Sequence, residues 1–417
     1  RFKVRHFNFR FPLGIVCVCV VLSGAIVSCA QPAVAPAMQA SKVAIQASNS
    51  PLPAANITEK YISKLRGKTV GIVANQTSMV GNKHLVDTLL SLGVAIKAVF
   101  APEHGFRGNA DAGEKVKDAK DPRTGLPIIS LYGKNMKPSA NQLEGIDVVL
   151  FDIQDVGARF YTYISTMSYM MEACAEQKIQ FIVLDRPNPN GHYIDGPILD
   201  TSFRSFVGMH PVPVVHGLTM GEYALMVNGE GWLKGGVKCD LEVVKMGGYN
   251  RSMPYILPEK PSPNLPNMRS IYLYPSTCFF EGTVVSEGRG TPFPFQLFGY
   301  PNMKGGDTTF TPTAIAGASS DPKFKNVKCK GISLATVSTD SIHLAGKIQL
   351  EWLLKAYSNY PEKEKFFNAK FFDLLAGSSQ LRKQIEAGKI EAEIRESWKL
   401  GLEKFKLVRA KYLLYPE

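Results

Sequence analysis

Asp147-Val148-Val149-Leu150-Phe151, running straight into Asp152-Ile153-Gln154-Asp155-Val156-Gly157-Ala158-Arg159, is the stretch whose reading decides the fold. Val148 to Phe151 is apolar without alternation. A strand of that kind is covered on both faces, and such strands belong to parallel sheets flanked by helices. Downstream, residues 163–178 have helical length and an apolar stripe, and residues 181–184 are again a short apolar run. Upstream, residues 68–74 read as a strand, 84–92 as a helix and 95–100 as a second strand ending at Pro102-Glu103-His104. Strand and helix alternating in this way predict an α/β fold built on a doubly wound, mostly parallel sheet.

Further along, residues 219–233 read as a helix, with Thr219 as its cap and Glu222 three positions on completing a capping box. Residues 241–246 read as a strand. Residues 254–301 are rich in Pro, Gly and aromatics and too long for an ordinary connection, which marks a functional loop or unassigned structure. Beyond them, 331–337 reads as a strand and 348–357 and 379–404 as helices, forming a second, smaller C-terminal α/β domain. The expected division is a leader at 1–29, a tether at 30–55, a main domain at 56–266 and the smaller domain at 267–417.

The leader carries Arg1, Lys3, Arg5 and Arg10, then runs apolar from Phe11 to Val27 and stops at Ser28-Cys29. That is the pattern of a secretory signal peptide. Ile26-Val27-Ser28-Cys29 also resembles the bacterial lipobox, in which the cysteine is lipidated and becomes the mature N-terminus. An uncleaved membrane anchor is the alternative, although about 17 apolar residues are at the lower limit for spanning a bilayer. Either reading places the folded part outside the cytoplasm, in the cell envelope at a periplasmic or outer-membrane face. The tether is rich in Ala, Gln, Pro and Ser and reads as flexible.

The net charge is +12, which suits acidic partners or a plain solvated face. No Lys/Arg cluster with interleaved aromatics occurs, so nucleic acid is not expected. Of seven cysteines, Cys17, Cys19 and Cys29 belong to the leader. Cys174, Cys239, Cys278 and Cys329 are far apart, with no metal spacing, and read as buried thiols; an oxidising compartment is compatible with one disulfide. The turn after the first strand, Asn75-Gln76-Thr77-Ser78-Met79-Val80-Gly81, lacks a dinucleotide fingerprint. No nucleotide, metal or other cofactor is expected.

Ligands of open parallel sheets bind outside the carboxyl ends of the strands, and four acidic segments fall there. Glu103, with His104 after a strand and ahead of Gly105 and Gly108, suits a general acid, or else caps a helix or pairs with Arg107. Asp152, Asp155 and Arg159 precede Phe160, Tyr161 and Tyr163, carboxylates beside aromatic faces that suit a sugar ring, or a salt bridge beside a half-buried patch. Asp185 and Arg186 sit in a proline-restricted loop and are expected to bind ligand or pair with each other. Glu281 and Glu287 share a Gly/Thr/Ser-rich loop ending in Arg289, hard to explain as core. Two carboxylates from different segments are what glycoside hydrolysis needs.

At these residues the chain resembles the exo-β-N-acetylmuramidases, peptidoglycan recycling enzymes of bacteria. The matching strings are Ala74-Asn75-Gln76-Thr77, Pro102-Glu103-His104-Gly105-Phe106-Arg107-Gly108, residues 152–163, Asp185-Arg186-Pro187-Asn188-Pro189, and residues 281–291, with similarity running on to residues 409–415. Residues 314–321 are looser than the family's usual strand there. The resemblance implies a Rossmann-like domain, a smaller C-terminal domain and an active site between them that releases N-acetylmuramic acid from the non-reducing end of glycan fragments. It implies neither nucleotide nor metal. Muramic acid carries a lactyl carboxylate, so a cation is expected at the glycone site. Arg159 is the first choice for it, with Arg289 and Arg107 behind. Its 2-acetamido group is also compatible with substrate assistance. Two rivals remain: a non-catalytic peptidoglycan-binding lipoprotein, and an esterase or amidase using His104, His192, His210 or His216.

Overall fold

In the computed structural model, residues 50–106 and 119–417 are described. The leader with Cys29, and Arg107, lie outside them. Seven strands build the main sheet: β1 (Thr69–Ala74), β2 (Ala95–Ala101), β3 (Ala119–Lys120), β4 (Pro127–Ser130), β5 (Val148–Asp152), β6 (Gln180–Leu184) and β7 (Leu241–Val244), in the order β3-β4-β2-β1-β5-β6-β7. All pairings are parallel except that of the edge strand β3 with β4. The chain leaves β1 towards β2 on one side and joins β5 on the other, so the strand order reverses at β1. That is the switch point at which a crevice opens.

Side chains alternate across the sheet. Val148 and Leu150 of β5 share a cluster with Leu85, Val86 and Leu89 of α1 (Leu85–Ser91). Val149 and Phe151 share the other with Met167, Met170 and Met171 of α2 (Tyr163–Gln177) and with Tyr223 and Val227 of α3 (Met220–Gly229). The capping box of α3 is present: Glu222 N donates to Thr219 Oγ1 at 3.3 Å, and Thr219 N to Glu222 Oε2 at 3.0 Å. The helix stops at Gly229, short of the expected residue 233.

The long segment 254–301 is not structureless. It holds α4 (Met268–Thr277) and β8 (Leu297–Tyr300). Pro275 hides the helix from a pattern reading, because proline removes the amide that would bond four residues back. The Ile271 carbonyl so released accepts from outside instead, from Asn190 Nδ2 at 3.3 Å. β8 pairs antiparallel with β10 (Cys329–Ser333), which also pairs with β9 (Thr308–Phe310). Further helices of the C-terminal part include α5 (Leu350–Asn359), α6 (Ala369–Ala376), α7 (Gln380–Glu386) and α8 (Glu391–Ala410). The last two were expected as one helix; Gly388, at φ +74°, breaks it.

Ser48–Glu417 form one compact unit. The α2 face of the sheet continues into the C-terminal part through one cluster that includes Phe279, Phe298, Phe372 and Trp398. The end of the expected tether is part of this unit: Leu52 exchanges amide hydrogen bonds with Gly247 at 2.8 and 2.9 Å, and Ala54 and Ala55 are fully buried. Cys174, Cys239, Cys278 and Cys329 are all buried and unbridged. Among the described residues no helix is long and apolar enough to cross a membrane.

Candidate active site

The loops after β1, β2, β4 and β5 converge at the switch point. After β1, Asn75 Oδ1 accepts from the Thr77 amide (2.9 Å) and hydroxyl (2.6 Å), which closes a tight turn. The amide side of Asn75 faces the Tyr163 phenol. After β2, His104 takes a left-handed φ of +68°, which a non-glycine residue adopts at a cost. Its Nε2 lies 3.2 Å from Ser262 Oγ. Glu103 Oε2 accepts from Thr162 Oγ1 at 3.2 Å, and the Tyr132 phenol lies beside Glu103. Burial, followed by Glu103, raises the Tyr132 pKa.

Tyr132 joins the two halves of the site, because its hydroxyl also lies in the field of Glu281 and Arg289. An aromatic wall does the same. Tyr161 meets Tyr163 edge-on at 4.9 Å and Tyr274 at 5.8 Å, Tyr274 meets Phe295 at 4.9 Å, and Arg289 stands 5.0 Å above the Phe295 ring. The Tyr161 and Tyr163 hydroxyls both donate to the Pro261 carbonyl, at 2.7 and 3.3 Å.

On the C-terminal side, Glu281 sits in a short 3-10 turn (Cys278–Gly282). Its Oε1 accepts from Arg289 Nη2 at 2.6 Å. Glu287 Oε1 is 3.5 Å from Arg289 Nε, and Oε2 accepts from Lys323 Nζ at 3.2 Å. The Glu287 side chain is 4% exposed against 21% for Glu281, so most of this loop is interior after all, and of its two acids Glu281 is the more open to solvent. Arg289 Nη1 is buried and has no hydrogen-bond partner among the described residues.

The other expected ligands are placed differently. Asp152 and Arg186 form a buried bidentate pair at 2.6 and 2.9 Å, so the partner of Arg186 is Asp152 and not Asp185. Asp185 instead accepts from Gly221 N (2.9 Å), Thr219 Oγ1 (2.7 Å) and the Tyr415 hydroxyl (2.7 Å), tying the end of the chain to the sheet. Burial, then Glu222, pushes its carboxyl up to about 6. Arg159, the first choice for the lactyl group, is fully buried: Nη1 donates to the carbonyls of Pro197 (2.8 Å) and Val212 (2.7 Å), and Nη2 to that of Leu375 (2.9 Å). A guanidinium so committed holds three chain segments together. Asp155 is buried too, with Oδ1 on the Gly157 amide at 2.7 Å and Oδ2 unpartnered among the described residues; desolvation pushes it up to about 7.

Three of the histidines named for a rival hydrolase are held neutral by burial: His192 near 4, His210 and His216 near 3. Among the described residues no group of three or more His, Cys, Asp or Glu side chains could hold a metal. Tyr132, Thr162 and Lys323 escaped the sequence reading. Tyr132 follows a strand end, the rule that found Glu103, but β4 itself was not recognised; Lys323 carries no local signal.

Acidic loops at the switch point of a mostly parallel sheet, with an acid pair from the C-terminal part joined to them by an aromatic wall, are those of an α/β protein of the doubly wound class. The model of the N-terminal part of exo-β-N-acetylmuramidase NamZ matches residues 70–269, and that of its C-terminal part residues 272–415. The chain belongs to this family. It is 40% identical over 375 residues, 85% of this chain and 89% of the relative, to the peptidoglycan β-N-acetylmuramidase NamZ of Bacillus subtilis (strain 168). Two crystal structures of DUF1343 family proteins from Bacteroides fragilis NCTC 9343 share the fold. One has a TM-score of 0.82 at 48% identity and the other 0.77 at 31%, each covering 88% of this chain and 99% of its own.

Proposed function

We propose that the chain is an exo-acting glycoside hydrolase that releases N-acetylmuramic acid from the non-reducing end of peptidoglycan fragments. The observation that carries this is the aromatic wall Tyr163–Tyr161–Tyr274–Phe295, which runs from the side where Thr162 bonds Glu103 to the Arg289–Glu281 pair. In this reading the carboxylates at the two ends of that wall are the pair a glycosidase requires. In this reading Glu103 protonates the leaving oxygen, steadied by Thr162 and Tyr132. Glu281 is the second carboxylate, ahead of Glu287, because Glu287 has one oxygen on Lys323 and the other beside Arg289. Arg289 offers its unpartnered Nη1 to the lactyl carboxylate, a charge-assisted bond. Asn75, Tyr161 and Tyr163 line the sugar face, with Asp155 beside them. His104 positions the Glu103 turn.

The division into 56–266 and 267–417 is kept as part of the proposal, supported by the two family models meeting between residues 269 and 272. So is lipidation at Cys29 and a place in the cell envelope, supported by the leader pattern alone.

Turnover of a chromogenic N-acetylmuramic acid glycoside tests the reading against its non-catalytic rival. Release of the chromophore that depends on Glu103 is expected; binding without release would overturn it.

A further inference from the structure

Lys323 is a cation that reaches the Glu281–Glu287 loop from outside it, and neither motif nor spacing singles it out. It comes from the segment between β9 and β10. Its ammonium donates to the carbonyls of Phe280 (2.7 Å), Glu281 (3.2 Å) and Val285 (3.0 Å) and to Glu287 Oε2 (3.2 Å). An ammonium has three protons, so four acceptors saturate it. The segment is seated tightly: a Cβ on Gly290 would meet Pro322 Cγ at 2.6 Å, so little room is left for it to shift against the Arg289 turn.

The charges form an alternating chain, Lys323, Glu287, Arg289, Glu281, with contacts of 3.2, 3.5 and 2.6 Å. Two cations against two anions make the cluster neutral. Without Lys323 it would carry one net negative charge. A substrate anion arriving at Arg289 would then meet repulsion that a neutral sugar would not feel.

We propose that Lys323 is a positioning and specificity-determining residue: it balances Glu287 so that Arg289 remains available to a carboxylate-bearing sugar. This rests on the muramidase reading above, in which Arg289 meets the lactyl group. Lys323 itself touches no substrate atom. Its effect is electrostatic and acts through Arg289, so it should fall on the charged substrate and spare the uncharged one.

The test compares kcat/KM for matched chromogenic glycosides of N-acetylmuramic acid and N-acetylglucosamine, in wild type and in Lys323→Gln, Lys323→Met and Lys323→Arg. Gln keeps a donor for the carbonyls without the charge, and thermal unfolding checks that each variant is folded. Lys323→Gln is expected to lower the muramic-to-glucosamine ratio at least about tenfold, the order of effect of removing one charge at this range in a partly buried site. The loss should sit mainly in KM, and Lys323→Arg should restore most of the ratio. A ratio unchanged in folded Lys323→Gln, or equal losses for both sugars, would overturn the proposal and leave the muramidase reading standing. A wild-type enzyme without preference for the muramic sugar would sink both. If Lys323→Met does not fold, Lys323→Gln and Lys323→Arg still decide.

Discussion

Arg289 reaches Glu281 with Nη2 at 2.6 Å while its buried Nη1 meets no acceptor among the described residues. A buried guanidinium nitrogen without an acceptor is costly to leave unsatisfied, and in this cleft a substrate carboxylate would satisfy it. Arg159 differs at its terminal nitrogens, both used by carbonyls, so that only its inner Nε lacks an acceptor among the described residues. Arg289→Met is therefore expected to narrow the preference for N-acetylmuramic over N-acetylglucosamine glycosides by slowing the muramic substrate at least about tenfold. Arg159→Met should instead cost on the order of 3 kcal/mol of stability, seen as a lower Tm, without a selective change in preference. Kinetics on the two sugars together with thermal melts would separate them; the reverse assignment would restore Arg159 as the reader of charge.

Asp155 gives a signed pH dependence. Its carboxyl is pushed up to about 7 by burial, from an ordinary 3.8. Between those values the folded protein holds a proton that the unfolded chain has lost, so raising the pH through the window favours unfolding. Asp155→Asn stays neutral at every pH. The variant is expected to gain stability relative to wild type as pH rises from about 4 to about 7, by on the order of a few kcal/mol if the site does not relax. Denaturant melts across that range check it, and a difference independent of pH would contradict the burial argument.

Ser262 stands 3.2 Å from His104 Nε2, the spacing of a nucleophile and base in an acyl hydrolase. The glycosidase account gives that hydroxyl a turn-holding role, since it also accepts from the Asn264 amide at 3.2 Å. Ser262→Ala should then lower turnover of a muramic acid glycoside by less than about tenfold, well short of the 10²-fold or more expected for a catalytic group. Loss of all hydrolytic activity would favour an ester- or amide-cleaving site.

The leader predicts that wild type partitions with membranes and that Cys29→Ser is released or mis-processed. Lipobox processing supplies the several acyl chains that stable anchoring needs. Fractionation of cells expressing both forms checks this; wild type recovered wholly soluble with its leader uncleaved would count against lipidation.

Most of what decides the fold was legible because the strands around Val148–Phe151 are apolar throughout and the loops after them are polar. Asn75 and Glu103 stand in the loops after two of those strands, and an aromatic wall runs from Tyr163 beside them to Arg289 of the Glu281 loop. What stayed hidden depends on long-range pairing. Whether Arg186 pairs with Asp185 next to it or with Asp152 at 2.6 Å is decided by which strand lies beside which. Arg159 reads as a free cation until the carbonyl of Leu375, 216 positions away, is brought to it. α4 was missed because the remedy for Pro275 is a side chain from another loop, Asn190.

The most direct test of the account is incubation of the protein with the disaccharide N-acetylmuramic acid–N-acetylglucosamine, muramic acid at the non-reducing end, followed by mass analysis of the products. The account predicts free N-acetylmuramic acid and N-acetylglucosamine with wild type, and at least about 10²-fold slower release with Glu103→Gln, the usual worth of a positioned general acid. An intact disaccharide with wild type, or undiminished release with Glu103→Gln, would contradict it.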